Sequence, residues 1–109
     1  LGQELVPLDE TIGGEYFYLE VIGDSMIGSR IYPGDLVYVK RSSVVNSGTI
    51  AVVLVNDEAS LKRVFFKGSS IVLHSENPKY EDMVFSAQEI EAKGIQIIGE
   101  VLHSKIRFK

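Results

Sequence analysis

Gly23-Asp24-Ser25-Met26 follows directly on a run of aromatic and β-branched residues. A serine at such a strand end projects into open space, and its own backbone N–H points to the same region. Hydrolysis of a peptide bond needs that pairing, because preorganised donors must meet the oxyanion of the tetrahedral intermediate. A glycine–polar–serine turn is also ordinary turn chemistry, so the motif alone decides nothing. A serine nucleophile further requires a group that takes its proton. His74 and His103 are both available, and a serine–histidine–aspartate arrangement stays open. No sequence feature brings either histidine to Ser25.

Leu61-Lys62-Arg63-Val64 offers a different base. With a period of two, Lys62 shares a face with Val64 and Phe66, while Arg63 shares the other with Leu61 and Phe65. One of the two cations therefore lies against apolar surroundings. In one reading Lys62 snorkels along an edge strand with its ammonium in water. In the other it is buried, and lost hydration favours the neutral amine a base requires, against a reference pKa of about 10.4 for lysine. Arginine cannot serve, because its guanidinium stays protonated. Lys62, not Arg63, is the candidate base, and Ser25 with Lys62 forms the candidate catalytic pair.

The elements that must carry these residues read as strands almost throughout. Residues 16–22, 36–40, 49–55, 59–66, 71–74 and 95–108 are β-branched, aromatic or alternating. Turn chemistry separates them: Pro33-Gly34-Asp35 suits a type II turn, Asn46-Ser47-Gly48 a tight loop, Asn56-Asp57 and Lys67-Gly68 hairpin ends, and Asn77-Pro78 a break. Asp35 is expected to shape its turn through side-chain-to-backbone bonds. Residues 86–93 favour a helix, with Ser86 and Glu89 as a capping box and Gly94 closing it. A further turn is expected after Ser25. The pattern predicts a mainly β domain, a sheet assembly or partly closed barrel with at most one short helix. Residues 1–15, with Gly2, Gly13 and Gly14, show no clear pattern and read as a linker remnant. Residues 16–109 read as one domain.

Composition narrows the function classes. The length of 109 residues suits a single core. Cysteine is absent, which removes disulfides and thiolate zinc sites and fits a reducing cytosol. The net charge of −4 argues against this segment being the main DNA-binding surface. No apolar run approaches the roughly 20 residues of a membrane span. A cytoplasmic protein without metal or cofactor is expected.

Val21-Ile22-Gly23-Asp24-Ser25-Met26, then Pro33-Gly34-Asp35-Leu36-Val37, then Leu61-Lys62-Arg63 resemble the peptidase domain of the LexA family. That family includes the mutagenesis protein UmuD and many prophage repressors. The likeness runs from about Tyr16 onward and takes in Gly48, Asn77-Pro78 and Ile98-Gly99-Glu100-Val101. The 37 residues from Ser25 to Lys62 match the family's usual spacing. The resemblance implies self-cleavage, with Ser25 attacking a peptide bond of the same chain and Lys62 as its base. It implies an oxyanion hole from the backbone N–H of Ser25 and of a neighbour, and a cleft wall from Met26. Asp24 reads as a turn residue. The family cleaves an Ala-Gly or Cys-Gly bond upstream of the serine, yet none of the ten glycines here follows alanine or cysteine. Leu1-Gly2 is a loose match, so the chain resembles the product side of cleavage. A helix-turn-helix domain upstream is expected to hold DNA, with a RecA filament as co-effector of cleavage after DNA damage (the SOS response).

Other readings remain beside this one. Signal peptidase is also a serine–lysine enzyme with a serine–methionine motif, but it is membrane-anchored and has a proline-containing step where Ile27-Gly28-Ser29-Arg30 stands here. A UmuD-like polymerase accessory protein differs only in what lies upstream. A non-cleaving dimerisation module is the third. In the last strand His103, Lys105, Arg107 and Lys109 alternate with Ser104, Ile106 and Phe108, which reads either as a solvated edge or as the contact of a homodimer. The strand at residues 16–22, beside Ser25, is the expected edge for adding the cleavage segment.

Overall fold

The computed structural model describes residues 5–7 and 15–106. Over these the chain forms β1 (Leu5–Pro7), β2 (Tyr16–Val21), β3 (Leu36–Arg41), β4 (Thr49–Val55), β5 (Glu58–Lys67), β6 (Ser70–His74), β7 (Met83–Phe85), helix α1 (Ala87–Ala92) and β8 (Gln96–Lys105). Alternation dictates the first long strand: Phe17, Leu19 and Val21 point inward, and Tyr16, Tyr18 and Glu20 outward. In β4, Val52 joins the core under β2 and β3, while Ala51 and Val53 join a second core with Val64, Ile71, Leu73, Phe85 and Ile95. Successive residues thus feed opposite faces of one sheet.

The strand order is β1-β2-β3-β8-β4-β5-β6-β7, and every neighbouring pair is antiparallel. The sheet curls without closing. β1 and β7 are its edges, and β1 lies against β5 across the curl. The expected mainly β fold with one short helix therefore forms as an open sheet. Both bonds of the capping box are present: Glu89 N–H donates to Ser86 Oγ and Ser86 N–H to Glu89 Oε1. The turn after Ser25 is a 3-10 turn at Ile27–Ser29.

Two short strands escape the sequence pattern. Leu5–Pro7, inside the stretch read as a lead-in, pairs with Leu19–Val21. Three residues are too few to show a period, and the same holds for Met83–Phe85 on β6. β1 therefore already occupies part of the β2 edge expected to receive an added strand. The last strand is not a simple edge either: its start, Gln96 and Ile97, pairs with β4, Gly99 and Glu100 pair with both β4 and β3, and the part beyond Glu100 pairs with β3 alone. Leu1, Gly2, Gly13, Gly14, Arg107, Phe108 and Lys109 lie outside the described residues.

Candidate active site

The loop that carries Ser25 is closed at its base before it begins. Val21 N–H donates to Asp35 O at 2.9 Å, and Gly34 N–H donates back to Val21 O at 2.7 Å. The expected turn follows: Gly34 has φ +96°, and Asp35 N–H reaches Tyr32 O at 3.0 Å. The Asp35 carboxylate accepts from Tyr32 N–H at 2.9 Å, so it shapes the turn as anticipated. Within the loop, Met26 is 1% exposed and belongs to the core cluster of Phe17, Leu19 and Val39. Its carbonyl accepts from both Ser29 N–H and Ile31 N–H. A residue so anchored leaves the preceding Ser25 little freedom.

β5 reaches the same place from the other side. β6 pairs with β5 only from Arg63 onward, whereas β4 pairs as far as Glu58. The Ser25 loop comes against β5 just where β6 has stopped pairing. Ser25 Oγ donates to Leu61 O at 3.4 Å, and Lys62 Nζ donates to the same oxygen at 3.1 Å. Ser25 is 3% exposed and Lys62 5%. Of the two readings of Lys62, the snorkelling one is therefore excluded.

Arg63 turns to the opposite side, where its guanidinium meets Glu76 Oε1 and Gly48 O. That contact holds the Glu76 carboxyl below its ordinary range. His74 Nδ1 lies 2.6 Å from Asp82 Oδ1, and the hydrogen bond to that carboxylate raises the imidazole above its ordinary value. Its Nε2, the atom a catalytic triad offers to a serine, faces Glu76 Oε2 at 3.3 Å. His103 stacks on Tyr38 and stands edge-on to Tyr18 on the outer face of β2, β3 and β8. Each histidine is engaged away from the role a triad would require.

The segment after β6, residues 75–80, contains the Asn77-Pro78 step read from the sequence as a break, and it is the part of the site to which the sequence motifs assign no role. Glu76 O accepts from Gly28 N–H at 2.6 Å, and a Cβ on Gly28 would meet that same oxygen at 2.5 Å. Only glycine permits the approach. Asn77, 7% exposed, donates from Nδ2 to Asp24 O at 2.8 Å. Tyr80 OH and Lys79 Nζ both bind the Asp24 carboxylate. Those bonds, Tyr80 first, hold Asp24 below the ordinary carboxylate range, and Asp24 in turn raises Lys79 and Tyr80. The signal that could have found this segment is Asn77-Pro78 itself, a turn placed directly after a buried strand.

The arrangement can hold a hydroxyl and an amine together at one buried carbonyl, with the hydroxyl on a rigid loop. The family model described as Peptidase S24-like matches residues 2–102, nearly the whole chain.

Proposed function

Because this chain belongs to the Peptidase S24-like family, we propose that Ser25 is the nucleophile and Lys62 the general base of a serine peptidase that cleaves its own polypeptide. The observation that carries this reading is the convergence of Ser25 Oγ and Lys62 Nζ, both buried, on the Leu61 carbonyl oxygen. Lys62, as a neutral amine, takes the Oγ proton while Oγ bonds to the carbonyl carbon of the scissile peptide. The resulting ammonium returns that proton to the departing amine nitrogen as the C–N bond breaks. Water then hydrolyses the ester through the same amine. The Leu61 carbonyl retains one Nζ hydrogen and so keeps the nitrogen beside Oγ. The backbone N–H of Ser25 and that of a neighbour meet the oxyanion. Met26, seated in the core, acts from beneath the cleft by fixing the loop.

The biological setting follows the same family. We read the domain as the autoproteolytic and dimerisation part of a LexA-like repressor, cut at an Ala-Gly type bond in an upstream linker after DNA damage. A RecA filament is the co-effector, and DNA is held by a separate N-terminal domain. A UmuD-like accessory protein would use the same chemistry. The codons upstream of Leu1 separate the two, since a helix-turn-helix followed by Ala-Gly belongs to the repressor. An anchor encoded there would instead favour a signal peptidase-like enzyme; among the described residues no helix is long and apolar enough to cross a membrane.

The test is self-cleavage of the uncut precursor. Ser25→Ala and Lys62→Ala each abolish it without lowering the melting temperature enough to unfold the domain. Undiminished cleavage in Lys62→Ala would sink the pair and return the role to a histidine.

A further inference from the structure

The Ser25 loop is held from two sides by different parts of the chain. On the C-terminal side Met26 is sunk in the core. On the N-terminal side the contacts come from residues 75–80. Asn77 Nδ2 holds the Asp24 carbonyl, and Tyr80 OH and Lys79 Nζ hold its carboxylate; the same segment reaches the C-terminal side as well, where Glu76 O holds Gly28 N–H. The holding segment is itself locked. Lys79 N–H donates to Asn77 Oδ1 at 3.0 Å, and Tyr80 N–H to Asn77 O at 3.0 Å. Both ends of the Asn77 amide are thus in use, one shaping its own turn and one gripping the residue before Ser25. No isosteric residue supplies both, since aspartate lacks the donor and leucine lacks both groups.

The segment also has the right attachment. It continues from β6, and β6 is paired to β5 from Arg63, the residue after Lys62. A displacement of residues 75–80 therefore changes the position of the Ser25 loop relative to the strand that carries Lys62. We propose that Asn77, with Tyr80 and Lys79 acting on Asp24, is the positioning clamp that sets Ser25 against Lys62 for attack. This rests on the reading of Ser25 and Lys62 as nucleophile and base. Asp24 is then more than a turn residue: it is the handle by which the clamp holds the loop. None of the four residues touches the scissile bond, so none is catalytic in the strict sense.

The probe is a fluorophosphonate, which reports the reactivity of Ser25 without the cleavage segment, used with the intact chain well below its melting temperature. Saturation kinetics separate the maximal labelling rate from the half-saturating concentration. Asn77→Asp is expected to lower the maximal rate about 100-fold, the scale of an ångström-sized misplacement, with half-saturation unchanged. Tyr80→Phe leaves the exposed ring in place and lowers the rate about tenfold by the same loss of orientation. Asp24→Asn, which still accepts from Tyr80 OH, restores most of what Asp24→Ala loses. A purely structural role would show neither that rescue nor a rate loss at unchanged half-saturation in folded protein. If Asn77→Asp does not fold, Tyr80→Phe and the Asp24 pair carry the test. Wild-type labelling rates in these variants overturn the clamp. They do so without harm to the catalytic pair when Ser25→Ala and Lys62→Ala are unreactive. A wild-type chain that takes no label at Ser25 overturns both.

Discussion

Lys62 lies directly across from Ala51 on β4, and its amine has a backbone carbonyl within hydrogen-bond reach. A polar group inside a small β domain costs stability unless it is hydrogen-bonded, and one such contact of the Lys62 amine is the oxygen that also receives Ser25 Oγ. The choice between Lys62 and Arg63 is legible from period and chemistry alone, because only one of the two can lose a proton. The shared acceptor is not legible, since it depends on a contact across 36 residues. A second residue-scale consequence concerns His74. Its folded value is raised above the ordinary 6.5, first by Asp82 and then by Glu76. The stabilisation is therefore complete below about pH 6.5 and is lost as pH climbs through the raised value. Glu76, lowered from 4.5 chiefly by Arg63, contributes above about pH 4.5 and loses its contribution as pH falls through the lowered value. The two overlap between these limits. The melting temperature should thus fall modestly between pH 6 and pH 8, by the equivalent of less than about 1 kcal/mol for side chains this exposed. Asp82→Asn should flatten that fall, as thermal melts at the two pH values will read.

Among the elements, the long alternating strands are written plainly in the residue pattern. Tyr16–Val21, Thr49–Val55 and Glu58–Lys67 appear within a residue or two of expectation: the first buries every second side chain, and the other two are β-rich runs covered on both faces at their centres. The Asn56-Asp57 hairpin end is legible for a chemical reason: both residues take positive φ, 52° and 66°, which asparagine and aspartate tolerate. Helix α1 is legible from its cap. At six residues it has little stability of its own, so Ser86→Ala should cost about 1 kcal/mol in denaturant unfolding. Because α1 packs at β6 and β7, away from the Ser25 loop, that loss should leave the fluorophosphonate labelling rate unchanged. The short strands β1 and β7 stay hidden because they are made by tertiary pairing and not by periodicity.

At the scale of the whole molecule, the outer face of β2, β3 and β8 carries a row of rings. Tyr16 stacks on Tyr38 at 5.7 Å, Tyr18 and His103 pack beside it, and Lys105 Nζ sits 4.7 Å over Tyr18. Beyond Glu100, β8 pairs with β3 alone, and Leu102 and Ile106 are exposed along it. The proposed homodimer depends on these exposed apolar residues, Ile106 alternating with His103 and Lys105 along the strand, and they are also what favours a pairing role should cleavage prove absent. Sedimentation of the wild type should show a concentration-dependent dimer, and Leu102→Glu with Ile106→Glu should shift it to monomer while the fold persists. A monomeric wild type at high concentration would remove the dimer proposal and leave the catalytic one untouched.

The position of β8 in the strand order has one more consequence. β1-β2-β3 form one meander and β4-β5-β6-β7 another, and the two are stitched into one sheet by β8 alone. Ser25 belongs to the first meander and Lys62 to the second. On the ribosome, residues 96–105 emerge after both. Until that strand docks, the seam of the sheet is missing and Ser25 and Lys62 sit on separate half-sheets. Long-range pairings of this kind form late in folding. On the proposed reading of Ser25 and Lys62, the nascent chain is thereby protected from its own chemistry, since the pair comes together only once β8 has sewn the two half-sheets shut.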